Sequence, residues 1–599
     1  MQKSRLFFIY LIAPILSLSI FAAVFQVWNL NLYQPIFVKN SDVFFTTFVA
    51  KTIISQGWFF FNNSVGFPQI DGAFSFHDFP IHADFLNLFI IKILALFSQN
   101  PFLVVNSFFI ITFALISLSS FAVLRHSKIS IFSATLVSIL YSFTHYHLVR
   151  GTSHLFLSNY AIVPLIIMVF LWIIENKIKI LDKDKNGRVQ FIFNNFAYLS
   201  LLIAAIAATS GIYYAFYSCI IFIFALFIRG LKNGKFRNLA ALEVLTLCFV
   251  IFLILVFLHF PVISYWAKNG YNASVVHRGL AESEFYALKI IYLFLPSPNH
   301  YFDYFSNLRG LFDSFSKEME SGAASLGILA SAGFLFLSLW LIAKNFDDKS
   351  SFLQKTIKKF NLDLGDQNLI SKLAILNFLL VLFATAGGLV MFVSAAFPML
   401  RSHARFSIFI AFISLFLVAI IFDKIIEKKI FGQKKYAQIF ILIIFVIALF
   451  DQVGKSSLKI IQPQELKNEL QIQEDFIKKI EGSTSSQLPI FILPISYFPE
   501  GGDYGLTLPY LYSKNLKWSY PAMVGRKGSR WQSGISNLDY KNLVNEVKKA
   551  GFGGIYIDRI RYTKNESWAN LRKLETTLKG LSKKAPLVSN DLKLVFFEI

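Results

Sequence analysis

The sequence predicts an α-helical polytopic membrane protein with a C-terminal α/β domain outside the membrane. Three observations support this class. Of the 599 residues, 55% are apolar and only 15% are charged, whereas about a quarter of a soluble protein is charged. The apolar residues form runs of about 18 or more, the length that crosses a bilayer as a helix. The basic residues behind the formal charge of +22 collect in short clusters between these runs.

This distribution excludes two soluble classes. A nucleic-acid-binding protein would show its basic residues as a surface stripe over an ordinary core, so no nucleic-acid partner is predicted. Intrinsic disorder is excluded by 69 Phe and an aromatic content of 17%. The two cysteines, Cys219 and Cys248, lie inside apolar runs and are interpreted as small core side chains.

The first apolar run, residues 6–28, is predicted to be a retained span because it is too long for a signal peptide and lacks a small-residue cleavage site. Lys3 and Arg5 precede it, which places the N-terminus in the cytoplasm. Residues 29–101 then form an outer loop. The short apolar segment within residues 84–98 fits either a span or a helix at the interface. The basic clusters after the later spans fall on the cytoplasmic side only if this segment does not cross the membrane, which favours the interface.

Ten further apolar runs alternate across the membrane. They are 102–124, 130–146, 159–174, 195–210, 212–228, 239–266, 323–343, 371–396, 405–422 and 436–451. A second outer loop covers 267–321; its acidic residues either shape an acceptor site or belong to a solvated loop. The basic clusters at 125–128, 177–188, 229–237, 344–359 and 424–435 then all fall inside. The prediction is about eleven spans with the C-terminus outside.

The apolar pattern ends at residue 451, which divides the chain into a transmembrane domain, 1–451, and a second domain, 452–599. The second domain has an ordinary share of charge. Strand-like segments at 489–494, 553–558 and 592–599 alternate with helical segments at 537–550 and 566–583. This alternation predicts a small α/β domain, and the parity of the spans places it outside the membrane.

Two acidic residues of the first outer loop are candidates for chemistry. Asp42 follows the first span, and it is either a helix N-cap or a functional carboxylate, because a carboxylate near hydrocarbon is costly. Asp78 has His77, His82 and Asp84 close by. These types suit a zinc or manganese site, but their spacing matches no tight ligand pattern, and a hydrogen-bonded loop cluster is the alternative.

Four cationic residues are predicted at the outer ends of spans, against the orientation bias. They are Arg150, His154, Arg401 and Arg405. Forked guanidinium contacts would suit an anionic group such as a lipid phosphate. The alternative is that these side chains reach out to lipid headgroups.

A series of short motifs follows one order along residues 1–450. It comprises Ser41-Asp42, 50–58, 66–68, 77–80, 86–97, Asn100-Pro101, 150–157, 211–216, 295–300, 325–327 and 400–406. In this order they resemble the GT-C superfamily of multispanning glycosyltransferases, in particular a bacterial, aminoarabinose-transferase-like branch. The resemblance implies a GT-C-like transmembrane fold and a location in the bacterial cytoplasmic membrane.

The resemblance also implies roles for the candidate residues. Asp42 matches the catalytic acidic residue near the start of the first outer loop, and Asp78 is the candidate for a second one. The implied reaction moves a sugar from a polyprenyl-phosphate donor to a glycan, lipid or protein acceptor, with inversion. The phosphate would be held by Arg401 and Arg405 with Arg150 and His154. Asp42 has no acidic neighbour, so no cofactor is certain and a divalent metal stays open.

A lipid-linked glycan flippase or transporter, or an inactive GT-C scaffold in envelope assembly, is the alternative function. Transporters tend to show inverted repeats and broken helices near the middle of the membrane. The sequence shows no obvious repeat, and Gly387-Gly388 is the one glycine pair within a predicted span. These observations favour the enzyme.

Overall fold

The computed structural model describes residues 2–38, 40–79, 81–183, 189–233, 238–275, 278–316, 320–345, 367–485, 487–501 and 503–599. Parts of three predicted basic clusters, 184–188, 234–237 and 346–359, lie outside the described residues. Pro80 of the 77–80 motif also lies outside them.

The chain up to residue 460 is mainly helical. Its helices are α1 (Gln2–Phe25), α2 (Asp42–Gln56), α3 (Phe85–Leu94), α4 (Pro101–His126), α5 (Ile131–Ser142), α6 (His145–Arg150), α7 (Leu155–Ser158), α8 (Ile162–Ile174), α9 (Asn195–Thr209), α10 (Ile212–Asn233), α11 (Asn238–Asn269), α12 (Leu280–Phe285), α13 (Asp303–Phe315), α14 (Ile328–Asn345), α15 (Gln367–Ala384), α16 (Val390–Ala396), α17 (Ser407–Glu427) and α18 (Lys434–Ile460).

Seven of the described helical stretches are long and apolar enough to cross a bilayer. They are Phe8–Phe25, Pro101–His126, Ile212–Leu231, Ala241–Asn269, Gln367–Ala384, His403–Glu427 and Lys434–Lys455. Three shorter apolar helices, α8, α9 and the Ile328–Ala343 part of α14, coincide with other predicted spans. The predicted span at 130–146 is divided between α5 and α6. The multispanning class is therefore confirmed, whereas the number of eleven crossings and their orientation stay predictions.

Helix α17 lies at the centre of the bundle. Nearly all of its side chains are buried, against α5, α8 and α14. Helix α11 is the opposite case, because few of its apolar side chains are buried and many of the large ones are exposed. A helix that is apolar all round is expected in such a bundle, since lipid and protein interior are both apolar.

The first outer loop contains a hairpin of two strands, β1 (Phe61–Phe67) and β2 (Gly72–Ser75). The backbone φ of Gly66 is +134°, and a Cβ there would overlap the carbonyl oxygen of Gly72. Only glycine fits this close approach. Helix α3 follows the hairpin and has ten residues, too few to cross a bilayer. The length of α3 therefore favours a helix at the membrane interface over a membrane span.

The remaining described strands are β3 (Leu181–Lys183), β4 (Val189–Phe191), β5 (Pro489–Leu493), β6 (Lys517–Trp518), β7 (Gly554–Asp558), β8 (Leu587–Val588) and β9 (Leu594–Glu598). Strands β3 and β4 form a separate hairpin. The other seven form one mixed sheet in the order β2-β1-β6-β5-β7-β9-β8. Its helices are α19 (Gln464–Ser483), α20 (Leu508–Tyr512), α21 (Lys527–Ile535), α22 (Tyr540–Lys549), α23 (Arg559–Asn565) and α24 (Trp568–Leu581).

The C-terminal sheet confirms a mixed α/β fold, but it contains strands from both sides of residue 451. Strand β1 of the first outer loop pairs in parallel with β6, where Val65 lies opposite Trp518. Helix α18 also continues past 451, with a non-helical residue at Gly454. The division into domains 1–451 and 452–599 stays a prediction.

One buried contact joins helix α2 to the C-terminal sheet domain. The Nζ of Lys51 donates to the carbonyl oxygens of Tyr510 at 2.5 Å, Leu511 at 3.0 Å and Ser513 at 2.5 Å. These carbonyls lie at the end of α20, where a helix leaves backbone acceptors without partners of its own. A lysine of the first outer loop thus caps a helix of the C-terminal domain.

Candidate functional site

Asp42 is the first residue of helix α2. The residue before it, Ser41, makes no side-chain capping bond; its Oγ accepts from the backbone N–H of Tyr504 at 3.3 Å. The side-chain amide of Asn40 donates to the Asp42 carboxylate at 2.9 Å. Asp42 is therefore not the N-cap residue, although its charge still suits the positive end of the helix dipole.

The Asp42 carboxylate faces a histidine and remains accessible. The His154 Nε2 lies 3.4 Å from Asp42 Oδ2, and the Asp42 side chain is 29% exposed. Burial, together with the negative charges of Asp42 and Glu500, raises the pKa of Tyr504 to about 12. The C-terminal domain therefore contributes Tyr504 and Glu500 to the surroundings of Asp42.

Arg150 and Arg405 share one carboxylate, that of Glu320. Arg150 Nη1 lies 3.2 Å from Glu320 Oε1, its Nη2 contacts Oε2, and Arg405 Nη2 lies 3.2 Å from Oε1. The Arg405 guanidinium also lies 4.1 Å from the centre of the Tyr213 ring. The two guanidiniums therefore share the one carboxylate of Glu320. The Nε atoms of both arginines are buried without a hydrogen-bond partner among the described residues.

The charge of Glu320 is fixed by this pairing. Burial alone would raise the pKa of its carboxyl, but Arg150, Arg405 and His154 outweigh burial and hold the pKa well below its usual value. Glu320 is consequently ionised at neutral pH. The charge of His154 lowers the pKa of Glu320, and His154 also contacts Asp42. The structure therefore brings together Asp42, His154, Arg150, Arg405 and Glu320. We name these five residues the outer charge cluster.

Arg401 lies beside this cluster with a carboxylate of its own. Its guanidinium pairs with Glu282 and lies 4.6 Å from the centre of the Tyr286 ring. Burial and the positive charges of Arg278 and Arg405 lower the pKa of Arg401. The Arg401 side chain is partly exposed, so Arg401 is more accessible to solvent than Arg150 and Arg405.

Asp78 occupies a different kind of environment. Arg526 donates to both carboxylate oxygens at 2.7 Å, Trp266 donates through Nε1 at 2.9 Å and Asn272 through its amide at 3.2 Å. The Asp78 side chain is 2% exposed. These contacts are those of a buried structural ion pair that joins the first outer loop to the end of α11 and to the C-terminal domain.

The histidines near Asp78 do not assemble a metal site. The Nδ1 of His77 lies 2.7 Å from Ser75 Oγ, and its ring stacks on Tyr265. The ring of His82 is buried against Phe60. Among the residues that the structure describes, no three His, Cys, Asp or Glu side chains come together to hold a metal ion.

No local pattern in the sequence pairs Glu320 and Glu282 with the arginines. Both belong to the acidic outer loop 267–321, so their charge was visible but their pairing was not. Tyr504 was also missed, because it lies far along the chain in the C-terminal domain and no local pattern marks it.

Two solved structures resemble this chain over most of its length. The archaeal oligosaccharyltransferase AglB from Archaeoglobus fulgidus, in complex with an inhibitory peptide and a dolichol-phosphate, gives a TM-score of 0.44 at 12% identity, covering 95% of this chain and 72% of that one. The apo form of the Archaeoglobus fulgidus oligosaccharyltransferase gives 0.41 at 12% identity, covering 92% and 69%. No family model and no curated protein matches the sequence.

Proposed function

We propose that the chain is a GT-C-type membrane glycosyltransferase that moves a sugar from a polyprenyl-phosphate donor to a hydroxyl acceptor on a glycan, lipid or protein. The outer charge cluster supports this proposal. It combines an accessible carboxylate, Asp42, with two guanidiniums that share the carboxylate of Glu320. A glycosyl phosphate needs both groups, a base for the acceptor and cations for the leaving phosphate.

In the proposed reaction, Asp42 accepts the proton of the acceptor hydroxyl. The acceptor oxygen then attacks the anomeric carbon, the bond from that carbon to the phosphate oxygen breaks, and the configuration inverts. A positioned base of this kind contributes about 10²–10⁴ in rate. A phosphate leaves as an anion and needs no general acid, so one carboxylate suffices where a glycosidase uses two.

The arginines would stabilise the charge that develops on the phosphate. Arg150 and Arg405 are held in place by Glu320 and by aromatic rings, so little reorganisation is needed when the charge appears. Each keeps a buried Nε donor without a partner among the described residues. Arg401, the more exposed cation, would meet the phosphate first.

Neither Asp78 nor a metal takes part in the proposed reaction. The Asp78 carboxylate is closed to solvent and is held by Arg526, Trp266 and Asn272. Asp42 lies beside His154, the Asn40 amide and several cations, and cations repel a divalent ion.

The test is sugar transfer by the purified chain in proteoliposomes, with radiolabelled sugars on polyprenyl phosphate as donors. We expect Asp42→Asn to reduce transfer by about 10²-fold or more without a change in melting temperature. Asp303→Asn is the matched control, because Asp303 also begins a helix of an outer loop. Transfer that survives in Asp42→Asn would show that another group is the base.

A lipid-linked glycan flippase or an inactive scaffold is the second candidate, because the arginines would bind a lipid phosphate in either case. This candidate requires that the wild-type chain binds the lipid-linked sugar and transfers none of it to any acceptor tested. A flippase would in addition move a fluorescent lipid-linked sugar between the leaflets, and Asp42→Asn would leave that movement unchanged.

A further inference from the structure

Helix α13 of the second outer loop is held rigidly by one buried arginine. The Arg309 Nε donates to both carboxylate oxygens of Asp313 at 2.9 Å. Its Nη1 donates to the Pro296 carbonyl and to Ser325 Oγ at 3.0 Å, and its Nη2 donates to the Gly322 carbonyl at 2.9 Å. The guanidinium thus ties the helix to the segments before and after it, so the helix presents one fixed face outward.

That outward face is apolar and exposed. Tyr304, Leu311 and Phe315 are 75%, 53% and 77% exposed, and their spacing of seven and four residues places them in one stripe. Leu308 and Phe312, beside the stripe, pack against the core. Part of the apolar surface of the helix is therefore not covered by protein. Exposed stripes of this kind mark sites that contact a partner or a membrane.

Contacts before and after α13 hold this stripe near the ends of a candidate membrane span and of the apolar helix α14. Just before α13, Ser297 Oγ donates to the Asp451 carbonyl at 3.1 Å and His300 Nε2 lies 3.2 Å from Asp451 Oδ1. After α13, the backbone N–H of Ile328, the first residue of α14, donates to Asp451 Oδ2 at 2.7 Å. Asp451 lies near the end of the Lys434–Lys455 candidate span. Helix α13 is thereby fixed at the level where apolar helices end.

We propose that α13 lies on the lipid surface, with Tyr304, Leu311 and Phe315 in the boundary between headgroups and acyl chains. Aromatic side chains are favoured at this depth, and amphipathic helices bind there through their apolar face. The stripe carries no basic residue, so binding is apolar and insensitive to salt. Contact with lipid would then also hold in place the loop that follows α13 and contains Glu320. The proposal does not depend on the proposed catalytic activity.

The test is the accessibility of spin labels in the full chain, reconstituted in phosphatidylcholine vesicles. Single cysteines are introduced at the stripe in a Cys219→Ser, Cys248→Ser background: Tyr304→Cys, Leu311→Cys and Phe315→Cys. Asn307→Cys and Ser314→Cys, exposed positions of the same helix outside the stripe, are the matched controls. Phe257→Cys on the exposed face of α11 reports lipid, and Lys573→Cys in the C-terminal domain reports water.

We expect the stripe labels to collide more with oxygen than with an aqueous nickel chelate, as at Phe257→Cys, and to do so equally at low and high salt. The labels at Asn307→Cys and Ser314→Cys should show the reverse. Stripe labels as open to nickel as Lys573→Cys would overturn the proposal. Immobile stripe labels that neither reagent reaches would also overturn it, because they would indicate a protein partner.

A second measurement needs no substitution. Oxidative footprinting of the wild-type chain in the same vesicles compares Tyr304 with Tyr497, which is 43% exposed in the C-terminal domain. Lipid contact predicts slower oxidation of Tyr304, although it is the more exposed ring in the protein alone. Faster oxidation of Tyr304 would contradict the lipid-bound position.

Discussion

Asp42 and Asp78 lie in the same outer loop but differ in their contacts. Four hydrogen bonds from three side chains occupy the Asp78 carboxylate, which is closed to solvent. The Asp42 carboxylate, which contacts Asn40 and His154, is more than a quarter exposed. A general base must reach the proton it removes, so accessibility, rather than residue type, separates the two.

At this residue scale, the pairing of Glu320 gives a first prediction. Glu320→Gln leaves the guanidiniums of Arg150 and Arg405 buried without their counter-charge. Breaking a buried pair in this way costs about 3–5 kcal/mol, so we expect a clear fall in melting temperature in detergent. Glu427→Gln is the control, because Glu427 pairs with Lys424 at the surface and such pairs contribute about 0–1 kcal/mol. Equal falls for both variants would contradict the assignment.

The ion pair of Asp78 and Arg526 predicts acid sensitivity. Burial alone would raise the pKa of Asp78, but hydrogen bonds from Arg526, Trp266 and Asn272 outweigh burial and lower the pKa below its usual value. A carboxyl with a lowered folded pKa stabilises the protein above its unfolded pKa, about 3.9, and this stability is lost as pH falls through the folded pKa.

The check is the melting temperature as a function of pH. Wild-type protein should lose stability below about pH 4 more steeply than Asp78→Asn, which should already be less stable at neutral pH. If the two proteins show parallel pH profiles, the Asp78 carboxylate is not the group that titrates.

At the scale of elements, Lys51 couples α2 to α20. Lys51→Met removes the donor from three carbonyl oxygens at the end of α20, and an unsatisfied buried acceptor costs about 1–3 kcal/mol. We expect faster hydrogen exchange in residues 504–513, measured by mass spectrometry. Lys541→Met, on the exposed face of α22, should change nothing. Unchanged exchange at 504–513 in Lys51→Met would show that the contact does not stabilise this junction.

Helix α18 shows where local pattern and structure diverge. The apolar run predicts an end at residue 451, because charged and polar residues follow it. The helix continues to Ile460 through a non-helical Gly454, whose φ is +58° and which lies against Ser297. A side chain there would meet the Ser297 hydroxyl, so a packing partner far along the chain decides the shape of the helix end.

At the scale of the whole molecule, the C-terminal domain shares its sheet with the first outer loop. A fragment of residues 452–599 would lack β1 and β2 and would expose the edge of β6. Open edges promote association between chains. We expect this fragment to aggregate or to melt well below the same domain in the full chain. Circular dichroism and size-exclusion chromatography are the measurements; a monomeric, cooperatively folded fragment would contradict the prediction.

The sequence by itself determined the membrane class, the positions of most helices and the mixed fold of the C-terminal part. Those properties depend on hydrophobicity and charge within short windows, which the sequence displays directly. It also selected Asp42, Arg150, His154, Arg401 and Arg405 as candidates, because charge at the outer ends of spans is unusual.

Only the tertiary structure decided which of these groups meet and which are closed to solvent. Glu320 joins Arg150 to Arg405, and Arg526 closes off Asp78, across long separations in the chain. Strand β1 likewise finds β6 in the C-terminal domain. Burial and ion pairing depend on distances in space, which no local pattern carries; for that reason two aspartates with similar sequence settings ended in different environments.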